Sequence, residues 1–437
     1  MTEKSYASKL HRPSPLFIGL DLGTSGCRAI AIDNDGIIKA EAKLHYPNHE
    51  QNQSPQDWWT ATQKVLKEIS SQTSQHHIQA ISVDGTSGTV LICGDSGQPL
   101  TPALMYNDKR ASEQANFLKQ FAPNNSIVLN PSSGLAKVLW LLEHHELNEP
   151  FHIIHQADWI AGLLAGRFDH SDINNALKTG FDPVNKIWPL WLTDLFHKLQ
   201  INDSSLPTVV TPGSVIASIQ PRVAKALDLP LDIEIIAGTT DSTAAFIASG
   251  AKQVGQAVTS LGSTLVLKII SDKAIDDPAH GVYSQPFGQH WLVGGASNSG
   301  GAVLKYFFNE QQMAELTKAI RPEINTNLNY YPLLDVGERF PINDINLAPR
   351  LTPKVDNDVI FFQGLLEGIA EIEYQGYKLL EKLGAPYPTS VQTAGGGAVN
   401  KAWQQMRQQK LDVPVSVANE TAAAYGSAIL AAQKYLN

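Results

Sequence analysis

A chain of 437 residues is longer than one hydrophobic core usually organises, so two domains are expected, each able to bury a core of its own. Hydrophobic residues make up 43% and charged residues 17%, a globular balance, while a net charge of -9 lacks the basic face that broad nucleic-acid binding requires. Cys27 and Cys93 lie in apolar, strand-like runs without metal-ligand spacing, which points to core positions in a reducing compartment.

Residues 1–15 are polar and lack the apolar stretch of a secretory signal, so they read as a flexible extension, with folding expected from about Leu16. No later run is apolar and long enough to span a bilayer, and the expected location is the cytosol, away from membranes. Phe17 to Asp33 (FIGLDLGTSGCRAIAID) is an apolar strand, an acid, a Gly-Thr-Ser-Gly turn and a second strand. Gly23 and Gly26 are expected to free the turn's backbone angles and to let main-chain N–H groups approach a phosphate. Asp21, at the end of an apolar strand, requires a cation or a hydrogen-bond partner. The same stretch also reads as a plain hairpin with a polar tip. Asn34-Asp35-Gly36 predicts a further hairpin. Trp58, Thr62, Val65, Leu66 and Ile69 form the stripe of an amphipathic helix, with Asp57 as a candidate cap. A buried strand, Ile78 to Val83, then ends in a second polar turn, Asp84-Gly85-Thr86-Ser87-Gly88.

Residues 107–245 read as mostly helical with loops. His144, His145, His152 and His155 lack the spacing of a metal site. Another strand, Ile233 to Ala237, leads into Gly238-Thr239-Thr240-Asp241, read as a turn whose acid opens an Ala-rich helix; capping alone explains such an acid. Ala257 to Lys268 repeats the opening pattern, with Leu261-Gly262-Ser263-Thr264 echoing Leu22-Gly23-Thr24-Ser25. A long amphipathic helix through Phe362, Leu365, Leu366, Ile369, Ile372 and Leu380 precedes a strand, Ser390 to Thr393, and a turn, Ala394-Gly395-Gly396-Gly397-Ala398. Turn, helix, strand and turn therefore recur in the same order, the signature of internal duplication.

Two such turns suit a polyphosphate, yet the GxxxxGK[ST] loop, the HRD loop and GxGxxG followed by an acid are all missing from the sequence. Phosphoryl transfer needs a divalent cation, donors along the phosphates and a base beside the attacking hydroxyl. Asp21 fits the outer shell of Mg²⁺, and Asp241, at a helix start, fits the general base.

In this light the chain resembles the FGGY family of carbohydrate kinases, within the actin, hexokinase and heat-shock ATPase-like superfamily. GLDLGTSGCRAI is similar to its first phosphate motif, VTSLGSTLVL to its second, TAGGGAVNKAWQQM to its adenosine motif and AGTTDSTAAF to the segment with the catalytic aspartate. YNDKRA, SSGLAKVLWL, ADWIAGLLAGRFDHSDINNALKTGFDP and LPTVVTPGSVI resemble its sugar-binding lobe, and the likeness runs from Ile18 to Ala432. It implies an α/β fold of two duplicated actin/hexokinase-like (ribonuclease H-like) domains around a central cleft, with residues 16–246 sugar-binding and 247–437 nucleotide-binding. By the same resemblance, Gly23, Thr24, Ser25, Gly26, Gly262 and Thr264 contact phosphates; Gly395, Gly396, Gly397 and Asn400 form the adenosine wall; and Trp403 either touches adenine or ribose or packs in the core. Asp84, Ser87 and Asp241, with Asp21, line the substrate site, where Asp241 takes the proton. Asp108 and Arg110 are weaker sugar candidates, equally explained as a surface ion pair.

Where xylulose kinases of this family carry Gly-Gln-Met/Gln-His-Gly, this chain has Asp84 to Gly88, without the usual histidine. The Asp-x-Thr pattern and the short chain resemble the plant and cyanobacterial members linked to D-ribulose. The implied activity is ATP- and Mg²⁺-dependent phosphorylation of a ketopentose hydroxyl, D-ribulose foremost, by a monomer or homodimer. D-Xylulose, glycerol or another polyol is the alternative substrate, and an actin-like ATPase without a sugar is the alternative class.

Overall fold

The computed structural model describes residues 14–47, 53–73 and 77–435, so most of the expected N-terminal extension lies outside the described residues. The chain forms two compact units: one runs to Ala122, continues over Val128–Ala244 and resumes at Ala423, and the other is Ala245–Ala422 with Pro123–Ile127.

In the first unit, β1 (Pro15–Leu22), β2 (Gly26–Ile32), β3 (Ile38–His45) and β4 (His77–Gly85) follow the apolar runs. Two short pairs come next, β5 (Val90–Gly94) with β6 (Phe151–His155) and β7 (His170–Asp172) with β8 (Thr208–Val210), then β9 (Val215–Ser218) and β10 (Glu234–Thr240). The main sheet has the order β3-β2-β1-β4-β10-β9, with β1, β4 and β10 parallel and β1 to β3 an antiparallel meander. As expected, Asn34-Asp35-Gly36 closes the β2–β3 hairpin, with Gly36 at φ 76°. The stripe on Pro55–Gln72 packs with Leu16, Ile18, Leu20 and Leu22 on one sheet face. Its cap is Ser54, whose hydroxyl accepts from the Asp57 amide; Asp57 is the third residue of a capping box and returns a bond to Ser54.

The second unit holds β11 (Gln256–Leu261), β12 (Leu265–Ser271), β13 (Tyr283–Phe287), β14 (His290–Ser297), β15 (Ser390–Ala394) and β16 (Val415–Val417), in the order β13-β14-β12-β11-β15-β16. Setting aside β9 and β13, both sheets have the order third-second-first-fourth-fifth, with the first, fourth and fifth strands parallel. The expected duplication is thus present in the sheets themselves. The long helix, Asp358–Leu383, buries its apolar stripe in this unit and ends at Gly384, φ 111°.

The sequence reading drew the second domain over 247–437, whereas the compact unit stops at Ala422 and the helix Ala423–Ala432 packs on the sheet of the first unit. That helix is apolar nearly all round, so it needs burial on several sides. Glycines make the approach possible: a Cβ on Gly19 would lie 1.9 Å from the Ala424 carbonyl oxygen, and one on Gly426 would lie 1.8 Å from that of Ala244. Among the described residues, no helix is long and apolar enough to cross a membrane.

Candidate active site

Three carboxylates of the first unit sit at the C-terminal ends of adjacent parallel strands. Asp21 is the penultimate residue of β1 and pairs in register with Asp84 of β4; Asp84 in turn pairs with Thr239 of β10, and Asp241 opens the helix that follows. Gly238-Thr239-Thr240, expected as a turn, continues strand β10 past an irregularity after Ile236, because β4 pairs with Thr239 and Thr240, and Asp241 is the first helical residue. A Ser242 N–H donates to Asp241 Oδ1 at 2.6 Å.

Asp84 is fully buried, 0% exposed, and its Oδ2 accepts a 2.6 Å hydrogen bond from Ser427 Oγ on the C-terminal helix. Burial and then the Asp21 charge raise its carboxyl well above the ordinary range, against the Ser427 bond. Burial, reinforced by the Asp241 charge, likewise lifts Asp21 to about 6, countered by a hydrogen bond from Asp84 and by the charges of Arg28 and Lys43. The two carboxyls stand side by side at neighbouring strand ends, where each disfavours the other's charge. Among the described residues, Oδ1 of Asp84 is buried without a hydrogen-bond partner. Ser427 escapes a motif search; the available signal is one hydroxyl in an otherwise apolar helix, AAYGSAILAA.

The turn between β1 and β2 holds Gly23, Thr24 and Ser25, with Gly26 starting β2. Gln53 Nε2 donates to the Thr24 carbonyl, and the Tyr46 amide donates to that of Ser25 at 3.1 Å. Gln53 is itself fixed by Trp58 Nε1 at 2.8 Å. Gly23 and Gly26 do not take the left-handed angles expected of them; Gly26 is required because a Cβ would meet the Leu44 carbonyl oxygen of β3 at 2.2 Å. Asp21 Oδ1 lies 3.7 Å from where a Cβ of Gly23 would stand, so the acid sits beside the turn. In the second turn Thr86 is buried and Ser87 half-buried; Gln156 Oε1 accepts from Thr86 N at 3.0 Å and from Thr86 Oγ1 at 2.7 Å.

In the second unit, the turn at Gly262, Ser263 and Thr264 is tied to a helix start: Gly301 N donates to the Gly262 carbonyl at 2.9 Å and Ala302 N to that of Ser263 at 3.1 Å. Gly262 and Ser263 open onto a cavity of about 620 Å³, together with Gly396, Gly397, Asn400 and Trp403. Here positive φ is real, at Gly395 (83°), where a Cβ would strike the Leu261 carbonyl oxygen at 2.8 Å. Asn400 is pinned at both ends of its amide: Oδ1 accepts from Trp403 N at 2.9 Å, and Nδ2 donates to Thr317 Oγ1 at 3.0 Å. Trp403 is 1% exposed with its Nε1 donating to the Leu366 carbonyl at 3.0 Å, so the ring is a core residue whose edge closes the cavity. Met313, Ala314 and Thr317, on a helix the sequence reading did not single out, also line it.

Among the described residues, no group of three or more His, Cys, Asp or Glu side chains is arranged to hold a metal ion directly. Asp21 beside the Gly23 turn and Asp241 at the start of the helix after β10 are carboxylates, the donor type that a largely hydrated divalent cation takes.

Duplicated sheets of this strand order, with acids and glycine turns at their parallel strand ends, define the actin/hexokinase-like class of phosphotransferase fold. The chain belongs to the FGGY family of carbohydrate kinases, matching its N-terminal domain over residues 16–248 and its C-terminal domain over residues 257–435. It is similar to a xylulose kinase of Staphylococcus epidermidis, 27% identical over 445 residues, covering 95% of this chain and 87% of that protein. A xylulose kinase of Escherichia coli K12 is 23% identical over 416 residues, covering 90% and 84%. In fold, the ligand-bound xylulose kinase of Lactobacillus acidophilus matches with a TM-score of 0.82 at 21% identity, over 96% of this chain and 89% of that one. Plasmodium falciparum glycerol kinase with ADP matches with a TM-score of 0.80 at 18% identity, over 97% and 90%. The protein is therefore an enzyme, a kinase acting on a sugar or polyol hydroxyl, and kinases of this family use ATP as co-substrate.

Proposed function

We propose that the protein phosphorylates the terminal hydroxyl of a ketopentose, D-ribulose foremost, with the first unit binding the sugar and the second unit the nucleotide. The observation that carries this reading is the Asp84-Gly85-Thr86-Ser87-Gly88 strand end, whose acid is buried and bonded to Ser427 and whose threonine is locked by Gln156. Ser87 donates to a substrate hydroxyl in this account, where a histidine is usual in xylulose kinases of the family. Asp241 accepts the proton of the attacking hydroxyl, and its place at a helix N-terminus favours the anion it needs to be. The amides of Thr24, Ser25 and Gly26, with those of the Gly262 to Thr264 turn, hold phosphate oxygens. The 620 Å³ cavity, with Gly395, Gly396, Gly397, Asn400 and the edge of Trp403, takes the adenosine. Mg²⁺, held near Asp21 through its waters, would neutralise charge on the transferred phosphate.

D-Xylulose is the second reading, favoured by the relatives named as xylulose kinases. The test is kcat/KM for D-ribulose, D-xylulose, glycerol and gluconate, measured by ADP release with Mg²⁺ and ATP. D-Ribulose is expected to rank first; a higher value for D-xylulose overturns the assignment in favour of the second reading.

A further inference from the structure

Lys137 is 0% exposed, an unusual position for an ammonium group. It lies in the first turn of the helix Gly134–His144, and its Nζ donates to the Met105 carbonyl at 2.8 Å. The same carbonyl accepts the Asp108 amide at 3.0 Å, closing the turn Met105–Asp108. Asp108 then accepts from the Arg110 amide at 3.0 Å and from Arg110 Nε at 3.0 and 2.9 Å. One turn further along the helix from Lys137, Trp140 carries the Arg110 guanidinium 4.9 Å from its ring centroid. One helix therefore grips the segment twice, from beneath through Lys137 and over the top through Trp140.

The gripped turn adjoins the strand end assigned above to the sugar. Leu104 exchanges backbone hydrogen bonds with Val90 at 2.9 and 3.1 Å, Thr89 N donates to the Thr86 carbonyl at 3.2 Å, and Gln156 N donates to the Thr89 carbonyl at 3.1 Å. We propose that Lys137 is a positioning residue of the sugar site, holding the Met105–Arg110 turn in register with the Asp84–Gly88 turn so that Asp108 and Arg110 meet the hydroxyls of a polyol. This inference rests on the ketose-kinase reading.

The charges around Lys137 agree with a role that is not simply stability. Burial pulls its pKa down to about 7, and only the Asp108 charge opposes this. On the neighbouring strand β6, burial followed by the charges of Lys137 and Lys178 keeps His155 neutral, at about 3. Asp108 is pushed up by burial but held below the ordinary range by the Arg110 bonds and by the charges of Arg110 and Lys137. An apolar side chain of similar length would avoid the cost of burying the ammonium.

The decisive variant is Lys137→Met, with Lys137→Gln retaining a donor without the charge. A charge-assisted hydrogen bond to a buried carbonyl corresponds to about ten- to a hundredfold in affinity. Lys137→Met is therefore expected to keep or raise the unfolding temperature and to raise the ketose KM by about that factor, leaving kcat and the ATP KM unchanged. Lys137→Gln is expected to recover part of the ketose KM. In the absence of ligand, amides 106–110 are expected to exchange with deuterium faster in Lys137→Met than in the wild type. An unchanged ketose KM, ketose and ATP KM values that rise together, or unaltered exchange at 106–110 overturns the inference. Failure of the wild type to turn over any ketose refutes the ketose reading instead, while the exchange measurement still decides whether Lys137 holds the turn.

Discussion

Arg407→Met isolates the buried ion pair of the second unit. Arg407 is 1% exposed; its Nε and Nη2 donate to Glu373 at 2.6 and 2.7 Å, and its Nη1 donates to Thr393 Oγ1 at 2.7 Å. Glu373 also accepts from Thr259 Oγ1 at 2.5 Å. The network joins β11, β15, the long helix and the helix Lys401–Leu411, all in the second unit. Removing the cation alone strands a carboxylate in the core, a loss of about 3–5 kcal/mol. For a unit of this size, each kcal/mol shifts the midpoint by about 2–4 °C, so the expected fall is on the order of 10 °C. Because Thr393 lies two residues before Gly395 and Trp403 one helical turn before Arg407, the ATP KM is expected to rise as well. Thermal unfolding of the wild type, Arg407→Met, Glu373→Met and the double variant forms a cycle in which the double variant recovers most of the loss, since no charge is left unpaired. A double variant as unstable as Arg407→Met would refute the reasoning, because the loss would then come from packing.

Two further outcomes follow from the strand ends. Burial, with the Asp241 charge, pushes Asp21 up to about 6 in the folded protein, above its unfolded value, so its contribution to stability is full below about pH 4 and is lost as the pH rises through about 6. Asp241→Asn removes one of the charges that raise it, and is expected to increase the unfolding temperature at pH 8 while leaving it unchanged at pH 4; a shift of equal size at both pH values contradicts the coupling. In the second unit, a Cβ on Gly397 would meet Trp403 at 2.7 Å and Leu261 at 2.8 Å, whereas nothing lies within 4 Å of one on Gly396. Gly397→Ala should then destabilise by about 1–3 kcal/mol, and Gly396→Ala should not; equal denaturation midpoints for the two would show that the wall yields.

Much of this architecture is legible in the order of the residues. The Leu-Gly-hydroxyl-hydroxyl echo, the Asn-Asp-Gly hairpin and the apolar stripe on the long helix depend on local spacing, and the structure carries all three. What escaped depends on partners distant in the chain. Gly238 to Thr240 reads as a turn until β4 is known to pair with Thr239 and Thr240, and Gly26 owes its identity to the Leu44 carbonyl of β3 rather than to its own φ. The helix Ala423–Ala432 has no polar face to reveal what it covers, so neither its place on the first sheet nor the Ser427 bond to Asp84 could be read in advance. Likewise Ser54 displaced Asp57 as the cap because the two bond reciprocally, a geometry that composition alone does not choose.

The central claim, a ketose kinase with Asp241 as its base, is tested most directly by ADP release with Mg²⁺ and ATP, with and without D-ribulose, in the wild type and Asp241→Ala. The sugar is expected to accelerate release in the wild type, and Asp241→Ala to lose roughly 10²–10⁴ of that rate while still binding ATP. Sugar phosphorylation retained in Asp241→Ala, or a wild type whose ADP release ignores every ketose, would contradict the account.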